Sequence, residues 1–305
     1  MNTILQVDEF ARQKKWTELL SYVQDHRSDN ILVAFQTNRA LYHTGRLASE
    51  MFAFPQSWGT SGLFLPRETR RFFSIQVSDF YWDLGYLNEA QHWVLEDHTN
   101  FSNGPWHLQR LAKISLIKDN RELAQMCITA LSKTILFRRW AKSYQALLDN
   151  PTTVNADSLL SHYHSTMPNK DFIVNPQYPA IDIETIMLND NDNKMAFDYA
   201  MADYMLSFRL GALVYNFSRM HNFYPKTIPR PYQEAALVFI RTSGENRTNL
   251  SGFNIDHEIA AQFADFLNIL KQHQNNAFAA KRELEGKYGN TYWFYSLYFN
   301  PQMQN

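Results

Sequence analysis

Residues 71–104, RFFSIQVSDFYWDLGYLNEAQHWVLEDHTNFSNG, spell out one helix, a tight turn and a second helix within 34 positions, which commits the chain to stacked helix pairs. Small residues stand where two helices have to touch. Val77, Ser78 and Tyr81 occupy the contact face of the first helix, Gly85 the turn, and Ala90 and Val94 the close-approach and large apolar positions of the second. The frame recurs. Leu111, Ala112 and Ser115 precede a turn at Asp119 and Asn120, then Ala124, Ile128 and Leu131 follow, with the turn 119 − 85 = 34 residues on.

Upstream, Asn38 and Leu41 precede Gly45, and Leu47 and Phe54 follow it, although Glu50 stands where the frame wants Ala. The interval 85 − 45 = 40 is long because the loop FPQSWGTSGLFLP, with Pro55, Gly59, Gly62 and Pro66, intervenes. An earlier pair over residues 4–26 turns near Lys14 and packs with Trp16, Leu19 and Val23. Four helix pairs are thus predicted to cover residues 4–148, the last helix being LFRRWAKSYQALL. The spacing is that of the tetratricopeptide unit. The predicted fold class is all-α, a tetratricopeptide-like α-α superhelix, with residues 1–149 as helical repeats.

From 150 to 180 the pattern breaks at Pro151, Pro168, Pro176 and Pro179, with one short helix expected around 156–164, and this Pro-rich stretch is predicted to be an irregular connection. Residues 181–305 are predicted to add further helical hairpins of the same solenoid. Ala200, Asp203, a turn at Ser207 and Ala212 resume the frame; Pro229 and Pro231 introduce PYQEAALVFIR; Asp256 caps HEIAAQFADFLNILKQ; a final pair spans 277–299.

Composition narrows the function classes. Lys plus Arg number 29 against 30 Asp plus Glu, so no global charge favours nucleic acid or an anionic membrane surface, which leaves only local patches. The single cysteine, Cys127, lies in an apolar helix, cannot form an internal disulfide and does not decide the compartment. No apolar run is long enough for a membrane helix. The N-terminus lacks the features of a signal peptide and opens directly into an amphipathic helix, as expected of a chain cut from a longer parent.

Carried by NRALYHTGRLASEMFAFPQ, YWDLGYLNEAQHW, LQRLAKISLIKDNRELAQ with KTILFRRWA, NKMAFDYAMADYMLS and PRPYQEA, nearly the whole chain resembles an uncharacterised bacterial family of the Bacteroidales type, a domain of unknown function. The resemblance implies fusion, in longer members, to an N-terminal multi-spanning membrane region. It assigns no catalytic residue.

Candidate chemistry is sparse. His162 and His164 form an H-x-H pair that could offer two zinc ligands, without an evident third, and exposed loop histidines are the plainer reading. His92 and Glu96 share a helix face, as many surface pairs do. No nucleophile elbow or P-loop is present, and an apolar helix raises the thiol pKa of Cys127. The 55–66 loop reads as a linker, with a groove-lining role as its alternative.

In stacked pairs the first helices line a concave face. Asp79, Trp82 and Asp83 from the best unit, Arg39, Tyr42 and His43 from the preceding one and Lys113 from the next are predicted to point into it, with Trp82 as a partly exposed anchor. Mixed charge with aromatics suits a protein or peptide, and the alternative is an ordinary solvated face. The expectation is a non-catalytic protein- or peptide-binding scaffold, the soluble part of a larger envelope protein. It needs no cofactor or metal, binds no nucleic acid, and meets a membrane only through a preceding region. The competing expectations are a regulatory or substrate-binding domain of a membrane-embedded enzyme, or a hydrolase built on His162, His164 and carboxylates.

Overall fold

The computed structural model describes residues 3–100, 104–150, 157, 160–161, 163, 175, 178–244, 250 and 252–299. It is all-helical, with no strand among the described residues. Packing groups the chain into two compact units: residues 1–65 with 180–305, and residues 66–179. The sequence reading divided the chain linearly at 150–180, whereas packing joins the first helices to the last. Pattern along the chain reports local structure and not which hairpins become neighbours.

Five turns follow one design. The helix ends on a residue with positive φ: Lys14 at 56°, Gly45 at 72°, Gly85 at 83°, Asp119 at 55° and Phe208 at 60°. In each, the N–H of that residue donates to the carbonyl three back and the next N–H donates to the carbonyl five back, as in Gly85 to Trp82 at 3.0 Å and Tyr86 to Tyr81 at 2.9 Å. This is the Schellman arrangement, which satisfies carbonyls the helix end would orphan. One residue later the next helix begins, at Trp16, Leu47, Leu87, Arg121 and Leu210. Four of these turns fall on the residue expected from sequence, and the fifth lies at Phe208, one past Ser207.

In the unit of residues 66–179, α6 (Ser74–Asp83), α7 (Leu87–Asn100), α8 (Pro105–Ile117), α9 (Arg121–Ser132) and α10 (Arg138–Asp149) pack in sequential order. Val77, Tyr81, Ala90 and Val94 are buried at the first interface and Leu111, Ala112, Ala124, Ile128 and Leu131 at the second, all at frame positions. α10 starts later than expected. Leu136 and Phe137 belong to the preceding turn, because the Thr134 hydroxyl accepts from the Phe137 N–H at 3.3 Å and bends the chain there.

In the other unit, α1 (Thr3–Arg12), α2 (Trp16–Asp25) and α3 (Ile31–His43) pack together, and α4 (Leu47–Glu50) contacts α12 (Lys194–Leu206) and α15 (Arg230–Ser243). Every residue of α12 from Met195 to Leu206 is buried, which its apolar residues on all faces foretell. The 55–66 segment is part of this packing. Asn38 and Gln56 exchange side-chain hydrogen bonds at 3.1 and 3.3 Å, Asn38 donates to the Gly62 carbonyl at 3.0 Å, and Leu63 and Leu65 are buried. It closes the core beside α3. The Asp256 carboxylate accepts from the Glu258 N–H at 2.8 Å as the expected helix cap.

Candidate functional site

The first-helix face of the 66–179 unit carries Asp79 and Trp82 on α6 and Arg110 and Lys113 on α8. Asp79 and Lys113 are frame-equivalent, since 113 − 79 = 34. Arg110 lies one turn earlier on α8, where its guanidinium pairs with the Asp79 carboxylate and sits 4.5 Å over the Trp82 ring. The indole is thus covered by a cation that is itself held by a carboxylate. Lys113 lies 5.8 Å over the ring of Tyr144 on α10. Burial raises the Tyr144 pKa to about 12, with Asp157 adding to it, so its hydroxyl stays protonated at neutral pH.

Trp82 is only 4% exposed, which corrects the expectation of a partly exposed anchor. Tyr163 also packs against it, with ring centroids 4.3 Å apart. Leu160 and Tyr163 are both buried, and the Leu160 N–H donates to Asp157 at 3.0 Å. Tyr163 comes from beyond the hairpin stack and lies on this face. The sequence reading missed Arg110, Tyr144 and Tyr163. Arg110 could have been found as the basic residue 110 − 79 = 31 positions after Asp79, one turn short of the repeat. Nothing local marks Tyr163.

The three residues expected from the preceding pair lie in the other unit, on α3. Arg39 is buried, donates to Gln36 at 2.8 Å and stacks 5.5 Å over Trp16. His43 is exposed and stacks on the same Trp16 ring at 4.4 Å, while Tyr42 meets Tyr199 edge-on at 6.1 Å. Arg39 is therefore a core residue. Asp83 is partly buried at the end of α6.

A second polar centre lies inside the unit of residues 1–65 and 180–305. Asp198, on the buried helix α12, is 3% exposed and pairs with Lys194, and the Tyr224 hydroxyl donates to it at 2.7 Å. Burial raises the Asp198 pKa, against the opposing pull of Lys194 and Tyr224. Tyr232 packs edge-on against Tyr224, and its buried hydroxyl has no hydrogen-bond partner among the described residues. Asp203 on the same helix pairs with Arg209, and burial again raises its pKa despite that pairing.

Other sequence candidates resolve plainly. His92 interacts foremost with Glu89 at 3.4 Å, whose hydrogen bond raises the His92 pKa ahead of any effect of Glu96. Burial pushes the Cys127 thiol up to about 11. His162 and His164 lie outside the described residues. Among the described residues no group of three or more His, Cys, Asp or Glu side chains is placed to hold a metal ion, and no helix is long and apolar enough to cross a membrane.

Residues 1–299 match a family of unknown function (DUF6057), and the chain belongs to that family. No curated protein and no solved structure matches it significantly.

Proposed function

We propose that this member of a family of unknown function is a tetratricopeptide-like helical-repeat scaffold that binds a protein or peptide segment on the first-helix face of its 66–179 unit and carries out no chemistry itself. The observation that supports this most is the Tyr163–Trp82 contact, because a segment from outside the hairpin stack already occupies that face. What a short segment of this chain can fill, a partner segment can fill. The Asp79–Arg110 pair and Lys113 give the face both signs of charge, which favours a polar peptide over a lipid or a polyanion.

Emptying the face tests this. A chain carrying Leu160→Ala and Tyr163→Ala should bind a synthetic peptide of residues 155–166 in calorimetry, and the parent should bind it at least tenfold more weakly, since its own segment competes. Adding Arg110→Glu should abolish the gain. Failure of the emptied chain to bind millimolar peptide, with its circular dichroism and melting unchanged, would overturn the reading.

A further inference from the structure

The turn between α9 and α10 exposes two adjacent aliphatic side chains almost completely, Ile135 at 89% and Leu136 at 85%. Single exposed apolar residues are ordinary, but a pair at the tip of an ordered turn is not. The tip is held from both sides. The Thr134 hydroxyl donates to the Leu131 carbonyl at 2.7 Å and accepts from Phe137, and the Ala141 N–H returns to the Phe137 carbonyl at 2.8 Å.

Charge is segregated at the same place. Between Lys133 and Leu148 the chain has Lys133, Arg138, Arg139 and Lys142 and no acidic residue, although acids outnumber bases 30 to 29 in the whole sequence. All four cations are exposed, and none forms an ion pair among the described residues. Trp140 and Tyr144 stack at 4.0 Å on the same helix, the aromatic type that favours the headgroup layer.

We propose that this turn docks on an anionic lipid bilayer, with Ile135 and Leu136 entering the interfacial layer while Lys133, Arg138, Arg139 and Lys142 engage the headgroups. A projecting apolar tip needs a deformable apolar phase, which lipid supplies, whereas a folded acidic protein would have to offer a matching pocket. A nucleic acid would use the cations and leave the aliphatics in water. Each cation close to an anionic leaflet strengthens binding about fivefold. The inference is independent of the peptide-binding face, and Leu160→Ala with Tyr163→Ala should leave it unchanged.

Flotation of the full chain with vesicles is the test. Binding is expected to phosphatidylcholine vesicles containing about a third phosphatidylglycerol, and to weaken with added salt. Vesicles of phosphatidylcholine alone should bind at least tenfold less. Arg138→Glu with Arg139→Glu should weaken partition at least about twentyfold, and Ile135→Asp with Leu136→Asp at least about tenfold. A polarity-sensitive dye on Leu136→Cys should shift to the blue on binding, with Cys127 buried and left unlabelled. No binding to anionic vesicles overturns the proposal. So does binding that the two aspartates leave unchanged, or RNA binding that falls in the arginine variant and persists in the aspartate one.

Discussion

The Ser78 hydroxyl donates to the Ala90 carbonyl at 2.7 Å across the α6–α7 interface, where both residues are fully buried. That bond measures how closely the two helices approach. Any side chain larger than methyl at 90 must push them apart. Ala90→Leu is expected to lower stability by about 1 to 3 kcal/mol, and Ser78→Ala by about 1 kcal/mol, read in urea titrations. An Ala90→Leu chain as stable as the parent would sink the account of this interface.

The Schellman turns allow a two-sided prediction. Lys14 and Phe208 both hold positive φ without being glycine. Lys14→Gly relieves that strain and should raise stability by up to about 1 kcal/mol. Phe208→Gly relieves the same strain but removes a ring packed 5.9 Å from that of Tyr292, so it should lower stability by about 1 kcal/mol or more. Gly85→Val should cost at least about 1 kcal/mol. Thermal melts of the three variants settle the signs.

Asp198 carries a pH signature. Its carboxyl is raised above the ordinary 3.8 in the folded chain, chiefly by burial, so the fold retains this proton to a higher pH than the unfolded chain does. The stability this group contributes is complete below its unfolded pKa and is lost as pH rises through its folded pKa. Asp198→Asn keeps an acceptor for Tyr224 and removes that loss. The variant should match the parent most closely at the acid end and be neutral to about 1 kcal/mol more stable at pH 8, because Lys194 is 40% exposed and loses little. Denaturant midpoints from pH 4 to 8 that run the opposite way would show that the ion pair outweighs the burial.

Cys127 should be inert. With its thiol at about 11, Ellman's reagent at pH 8 should react with the native chain at least tenfold more slowly than with the unfolded one. Reaction at the unfolded rate would mean that α9 opens readily.

Helices, turn residues and close-approach positions were legible in the sequence because they depend on neighbours within one helix–turn–helix segment. Gly45, Gly85 and Asp119 announce left-handed turn residues, and Ala90, Ala112 and Ala124 announce contacts. The candidate site was legible only in part. Asp79, Trp82 and Lys113 do lie on first helices, but whether a first-helix side chain meets solvent or protein depends on what arrives from far along the chain. Tyr163 comes 163 − 82 = 81 residues after Trp82 and buries it. Arg39, Tyr42 and His43 share the repeat frame, yet packing assigns their helix to a unit completed by residues 180–305. Periodicity is enforced by hydrogen bonds and sterics within a few turns, so the sequence alone determines it. The burial of Trp82 and the grouping of helices follow from long-range contacts that no local pattern encodes, and only the tertiary structure decided them.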